Sequence, residues 1–199
     1  LAAYLAPVPP QRRHDRFSVK QRALVAPGLV NACKAFSGQF ATPVAGGPLE
    51  SWIVENVSRG GFGAVLNEQP GEWLKVGALL AMQPEGGASW LLAIVRRYHR
   101  QGESEAHIGI ETLALQAEPV DVRTRAASTY AAVAGIPALL LREGGVAGEV
   151  RVLLPFASFD LRETLQYAQG SKRFQLSPVA IVEQYADYEL ARYRLSEIA

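Results

Sequence analysis

The chain has 199 residues, and 49% of them are hydrophobic, which is enough to bury a core without covalent cross-links. Its 20 Lys and Arg residues nearly balance its 19 Asp and Glu residues, so the charge argues against a general nucleic-acid binder. The single cysteine, Cys33, excludes an internal disulfide and is expected to be a small buried side chain in a reducing compartment. The three histidines are far apart in the sequence, so we expect no metal site and no cofactor.

The chain begins with an apolar stretch that ends in Pro-Val-Pro-Pro, which predicts an extended lead-in over residues 1–10. This stretch is short and has no basic flank before it, unlike a signal peptide. Residue 1 is Leu rather than Met, which leaves open that sequence precedes it. Because no run of about 18 apolar residues occurs, we expect no membrane span and a cytoplasmic location.

The next segment, 11–22, is the most positively charged part of the chain. Its charged residues are Arg12, Arg13, Asp15, Arg16, Lys20 and Arg22. Such a run is usually a solvated surface segment. The alternative is an anion site, because the guanidinium forks of Arg12 and Arg16 suit phosphate oxygens and the O6/N7 edge of guanine.

Residues 23–25 read as a strand that Pro27-Gly28 ends, and the apolar spacing after it predicts a short helix within 29–38. The Gly- and Pro-rich segment 43–48 reads as a loop. From residue 50 the pattern becomes β, with strand-length segments separated by turn residues. These segments are 51–58, 61–66, 76–82, 89–98 and 105–113. Short strands at regular spacing predict a small antiparallel barrel or sandwich.

The Ala-rich segment that follows contains Pro119, and we interpret 117–135 as a linker. A second set of strand-length segments fills 136–199, with a hairpin turn at 168–171. The pattern leaves open a helix around 161–168 or 187–195. The chain is therefore expected to be mainly β, with two β-rich domains in sequence.

The corner between two of the predicted strands, ENVSRGG at 55–61, is rich in polar and small residues. One interpretation is turn chemistry, in which Asn56 and Ser58 cap the local backbone and glycine adopts positive φ. The other is a binding corner, where the Asn56 amide, the Ser58 hydroxyl and the backbone near Gly61 hold a base or a phosphate.

Catalytic sequence patterns are missing from the chain. It contains no GxSxG elbow, no P-loop, no HExxH and no GxGxxG opening a helix. Acids such as Asp15, Asp121 and Asp160 are scattered and are not paired with a histidine in sequence. We therefore expect a binding protein rather than an enzyme.

The RxxxR of Arg12 and Arg16, followed by the (D/N)xSxxG of Asn56, Ser58 and Gly61, resembles the PilZ domain family. Members are small antiparallel β-barrels that bind the bacterial second messenger cyclic di-GMP. In the family the RxxxR precedes the first barrel strand and the (D/N)xSxxG lies at the end of a following strand. The resemblance covers roughly 11–114, and the strand pair near Gly109 also fits it.

The resemblance implies a PilZ-type β-barrel over 11–116, with an insertion near 28–48 that accounts for the long separation of the two motifs. It also implies a cyclic di-GMP site that contains Arg12, Arg13, Arg16, Asn56, Ser58 and Gly61. The arginines would fold the N-terminal segment over the nucleotide, and Arg13 would stack on a guanine. The β-rich domain 136–199 would then carry the signal to a protein partner.

Two alternatives remain at this point. A PilZ-like barrel that binds no nucleotide would act as a protein–protein interaction module, although members of that kind typically lack the arginines. A single-stranded nucleic-acid binder would need exposed aromatic platforms, whereas the aromatic residues here lie in apolar runs that predict a core. Those residues are Trp52, Phe62, Trp73 and Trp90.

Overall fold

The computed structural model describes residues 16–40, 49–66, 71–101, 105–124, 135–143 and 146–198. They form two closed six-stranded antiparallel β-barrels that follow one another in the chain, with one short helix. The predicted mainly-β fold, a small barrel followed by a second β-rich domain, is confirmed.

The first barrel contains strands β1 to β6. Their bounds are β1 Arg16–Pro27, β2 Glu50–Ser58, β3 Gly61–Leu66, β4 Leu79–Pro84, β5 Leu91–Gln101 and β6 Glu105–Ala114. Around the barrel the order is β1-β2-β3-β6-β5-β4, and β4 pairs back with β1 to close the ring. Alternate residues fill the interior, which is centred on the fully buried Trp52, Leu80 and Met82.

The second barrel contains strands β7 to β12. Their bounds are β7 Glu118–Thr124, β8 Ile136–Leu141, β9 Glu149–Pro155, β10 Leu165–Gln169, β11 Lys172–Gln184 and β12 Tyr188–Ile198. The order around this barrel is β10-β11-β12-β9-β8-β7. The second interior is packed by Leu140, Val152, Leu176 and Tyr193, among others. The two rings are therefore built from separate halves of the chain, each around its own core.

The helix α1 (Gly28–Phe36) lies between the two barrels. Its buried residues, Leu29, Ala32 and Ala35, recur every three residues, which places them on one face. That face joins an apolar cluster that includes Leu79 and Leu92 of the first barrel. The same cluster contains residues of the second barrel, namely Leu139, Leu141, Leu153, Tyr188 and Leu190. The helix predicted within 29–38 therefore exists and helps to join the barrels.

In the structure the second barrel begins earlier in the chain than the sequence predicts. The sequence suggests a linker over 117–135, but Glu118–Thr124 is strand β7 of the second barrel, paired with β8 along most of its length. Pro119 is compatible with this because β7 pairs with β10 only through Arg123 and Thr124. Proline has no backbone N–H to donate, so it is tolerated in a strand at a position where no second neighbouring strand would accept that hydrogen bond. Residues 125–134 lie outside the described part.

The sequence does not exclude a helix around 161–168 or around 187–195, but the structure has strands and turns in both places. Residues 165–168 belong to β10 and 188–195 to β12. The predicted turn at 168–171 joins β10 to β11, with Gly170 at φ +59°. Within the described ranges, no helix has the length and the apolar composition needed to cross a bilayer.

Candidate functional site

The polar residues of the corner between β2 and β3 point to the outside of the first barrel. Trp52 and Val54 face the interior, so strict alternation would send Asn56 inward as well. A register shift between Val54 and Asn56 changes this, and Val57 packs on the core instead. Asn56 and Ser58 consequently lie on the outer face.

The first strand brings an arginine to the same face. Arg16 is exposed and is paired with Ser58 across the β1–β2 ladder, and Ser18 is paired with Asn56. Residues directly opposite each other on antiparallel strands project to the same side of the sheet. Of the predicted site residues, the structure therefore places Arg16, Asn56 and Ser58 together. Arg12 and Arg13 lie outside the described residues.

Gly61 has a packing role at this corner. It is buried, and a Cβ built on it would lie 1.9 Å from the carbonyl oxygen of Ile110 on β6. The space that glycine leaves is thus filled by the neighbouring strand. The Ser58 hydroxyl donates to the Gly61 carbonyl oxygen at 3.1 Å, and the Thr112 amide donates to the Gly60 carbonyl oxygen at 3.1 Å. These contacts fix the turn against β6.

The outer face continues across β3 and β6, where two glycines are paired. Gly63 is the partner of Asn56 on one side and of Gly109 on the other, and Gly109 is the partner of Arg97 on β5. Gly109 is part of the family resemblance in the sequence, whereas no sequence signal singles out Gly63 or Arg97. Their positions depend on which strands pair, and local sequence does not contain that information.

The outer face near the corner carries exposed arginines, and the exposed Glu55 directly precedes Asn56 on β2. Those arginines are Arg16 and Arg97. The acidic residue Glu111, opposite Gly61, forms an ion pair with Arg96 at 2.6 Å, which offsets its charge. The face can therefore attract an anion to the Asn56 amide and the Ser58 hydroxyl.

The four aromatic residues named from the sequence are packed, whereas Phe17 at the start of β1 is exposed. Trp52 is buried and stacks on Trp73 with ring centroids 5.9 Å apart, and both indole N–H groups donate to Glu50, at 2.8 and 2.7 Å. Phe62 packs on the barrel core, and Trp90 packs with Phe40 beside α1. These residues do not offer a row of exposed stacking platforms, which removes the support for a single-stranded nucleic-acid binder.

Arg96 connects the first barrel to the β11–β12 hairpin of the second. Besides Glu111, its guanidinium donates to the Tyr185 hydroxyl at 2.5 Å and reaches Glu183 at 3.4 Å. The Tyr185 hydroxyl also donates to Glu183. Burial by itself lowers the pKa of Arg96, but the hydrogen bonds to Glu111 and Tyr185 together raise it more, so the pKa lies above its ordinary value.

The same hairpin is fixed at a second point. The Tyr188 hydroxyl donates to the Gly77 carbonyl oxygen at 2.8 Å in a buried position. Tyr185 stacks on Tyr188 and covers Gly77 so closely that a Cβ there would lie 2.6 Å from its ring. The second barrel is therefore held against the first by specific polar contacts as well as by the apolar cluster around α1.

A groove of about 910 Å³ lies away from this corner, between α1 and strands β7 and β10. Its lining mixes cations with acids, including Lys34, Arg123, Asp121 and Glu118. It shares no residue with the corner. Among the residues that the structure describes, no group of three or more His, Cys, Asp and Glu side chains could hold a metal ion.

Comparison with known proteins bears on the first barrel. Residues 47–119 match the family model described as "Cyclic-di-GMP receptor FimW, middle PilZ domain". This span contains β2 to β6, and with them Asn56, Ser58 and Gly61, but it ends before most of the second barrel. Neither the curated proteins nor the solved structures gave a match.

Proposed function

We propose that this chain is a receptor for cyclic di-GMP, because residues 47–119, which include β2 to β6 of the first barrel, match a family model of a PilZ domain from a cyclic di-GMP receptor. The observation that carries the proposal is the common outer face of Arg16, Asn56 and Ser58. These residues come from two strands and from the two separate motifs, and strand pairing places them side by side.

The chemistry of the face suits this ligand. Cyclic di-GMP carries two phosphates and two guanines, so it needs cations and directed hydrogen-bond donors and acceptors. Arg16 supplies a charged fork for a phosphate, and Asn56 and Ser58 supply hydrogen bonds to a guanine edge or to a phosphate oxygen. No bond is made or broken in such a site, so the protein acts as a receptor and not as an enzyme.

The N-terminal segment completes the proposed site. Arg12 and Arg13 precede β1 closely in the sequence, so a fold of this segment over the ligand would add two guanidinium groups beside Arg16. Arg12 would pair with phosphate or guanine acceptors, and Arg13 would stack on a guanine plane. Ordering of the segment on binding would be the first event of the signal.

The second barrel is the proposed output half. It packs on β4, β5 and α1 through one apolar cluster, and Arg96 ties its β11–β12 hairpin to Glu111. Glu111 is paired with Gly61 of the corner. A change at the corner therefore has a short path of direct contacts to the second barrel and to any protein partner that binds there.

Calorimetric titration of cyclic di-GMP tests the receptor function. We expect the parent chain to bind with micromolar or tighter affinity, and Arg12→Ala/Arg16→Ala to lose binding. Each charge-assisted contact contributes about 1.5–3 kcal/mol, which is tenfold or more in affinity.

The control is Lys172→Ala/Arg173→Ala, which removes the same charge from the start of β11 in the second barrel and should bind as the parent does. If the parent chain releases no heat with cyclic di-GMP, the receptor proposal is wrong. The protein would then be examined as an interaction module that binds a protein partner without nucleotide.

A further inference from the structure

Four outward positions form a row across the first barrel next to the proposed nucleotide site. The row runs from Asn56 on β2 through Gly63 on β3 and Gly109 on β6 to Arg97 on β5. The register shift in β5 between Val95 and Arg97 turns Arg97 outward, as the shift in β2 does for Asn56. The row thus has a polar side chain at each end and no side chain in its middle.

The two glycines let the end residues lie flat over the sheet. A Cβ at Gly63 would lie 2.4 Å from Nδ2 and 2.7 Å from Oδ1 of Asn56, so the amide occupies that space. A Cβ at Gly109 would lie 3.1 Å from Cβ and 3.5 Å from Cγ and Cδ of Arg97. The Asn56 amide and the Arg97 side chain therefore converge over two directly paired glycines.

We propose that Arg97 contacts a guanine of the bound nucleotide and thereby selects guanine over adenine. This inference rests on the proposed cyclic di-GMP site and adds a residue that belongs to neither motif. Arg97 differs from the N-terminal arginines because its stem is fixed on a barrel strand, so its position does not depend on closure of the N-terminal segment.

A contact with a base would let Arg97 distinguish guanine from adenine. A guanidinium donates two parallel hydrogen bonds to O6 and N7 of guanine, and the amide of Asn56 can both donate and accept at the same ring. Adenine carries an amino donor in place of O6, so it would oppose the donors of Arg97. A phosphate contact would be the same for both nucleotides.

The test compares the full chain with Arg97→Ala for cyclic di-GMP and for cyclic di-AMP, by displacement of a fluorescent cyclic di-GMP analogue. We expect the affinity for cyclic di-GMP to fall about tenfold or more and that for cyclic di-AMP to stay unchanged. Arg97→Lys keeps the charge but not the fork, and it should recover little of the loss.

Arg100→Ala is the matched control, because it removes the same charge from the same strand. Arg100 is paired with Ala106 at the far end of the β5–β6 ladder, so it does not share the outward row. Gly109→Ala is a second variant, since the added methyl group displaces the Arg97 stem while the charge remains, and it should also weaken cyclic di-GMP binding.

The outcomes separate the two proposals. If the parent binds and Arg97→Ala binds equally well, this inference is overturned and the receptor function stands. Equal losses for both nucleotides, or full recovery with Arg97→Lys, would make Arg97 a phosphate or general charge contact and would overturn the guanine assignment. If the parent does not bind cyclic di-GMP, the receptor function fails and the inference fails with it.

Discussion

At the scale of one residue, Gly61 is a motif position whose role in the structure is the close packing of two strands. Its absent side chain is what lets β3 approach β6, since a Cβ would lie 1.9 Å from the Ile110 carbonyl oxygen. Backbone atoms cannot rotate away as a side chain can, so Gly61→Ala must separate the two strands. We expect a loss of about 1–3 kcal/mol in unfolding free energy, measured by urea denaturation.

Gly170→Ala is the control for this variant. Gly170 lies in a turn at φ +59°, and a Cβ added there would meet no atom within 4 Å, so alanine suffers backbone strain without a collision. The Gly61→Ala loss should be the larger of the two. Equal stability of Gly61→Ala and the parent would contradict the close-packing role.

At the scale of the element, α1 places Cys33 between the barrels. The Cys33 thiol is directed to the Ala138 carbonyl oxygen at 3.8 Å, and burial, followed by the nearby Asp121 carboxylate, raises its pKa to about 12. The thiolate is the reactive form. We therefore expect alkylation by iodoacetamide at a pH of about 8 to be far slower in the folded chain than in urea, as followed by mass spectrometry.

The raised pKa of Cys33 also determines how its contribution to stability changes with pH. The folded chain binds the thiol proton more tightly than the unfolded chain, whose thiol titrates near 9.0. The contribution of Cys33 to stability is therefore present below a pH of 9.0 and is lost as the pH rises toward a pKa of about 12. Cys33→Ser should flatten this part of the pH profile. Alkylation as fast in the folded chain as in urea would contradict the raised pKa and the partial burial of the Cys33 thiol.

At the scale of the whole molecule, Arg96 is one of several contacts between the barrels, and it reaches the corner through Glu111. If the signal passes this way, cyclic di-GMP should slow amide hydrogen exchange in the β11–β12 hairpin of the parent. Arg96→Met leaves Glu111 without the ion pair that offsets its charge, so we expect weaker nucleotide binding, and the variant is compared with the parent at saturating nucleotide. The protection of the hairpin should be lost.

Lys75→Met is the comparison for this experiment. It removes an exposed ion pair of 3.5 Å between the first barrel and Asp187 of the same hairpin. Exposed pairs contribute little, about 0–1 kcal/mol, so hairpin protection should persist. Unchanged protection in Arg96→Met would show that the signal does not pass through Arg96.

The sequence by itself determined much of this protein. Alternating apolar residues and Gly- or Pro-rich turns predict most strands, since side chains on a strand alternate between two faces. The apolar spacing that begins at Leu29 predicts α1, and the two motifs in order point to the PilZ domain before any strand is paired. These signals are local, so they can be found without knowing the fold.

Only the tertiary structure decided the rest, because it depends on contacts between residues far apart in the chain. Closure of each ring joins distant strands, as β1 joins β4, and it placed β7 in the second barrel despite Pro119. A register shift turned Asn56 outward against its alternation, and the β3–β6 and β5–β6 pairings brought Gly63, Gly109 and Arg97 beside it. A one-residue shift reverses the face of every following side chain, and sequence periodicity does not fix where such shifts occur.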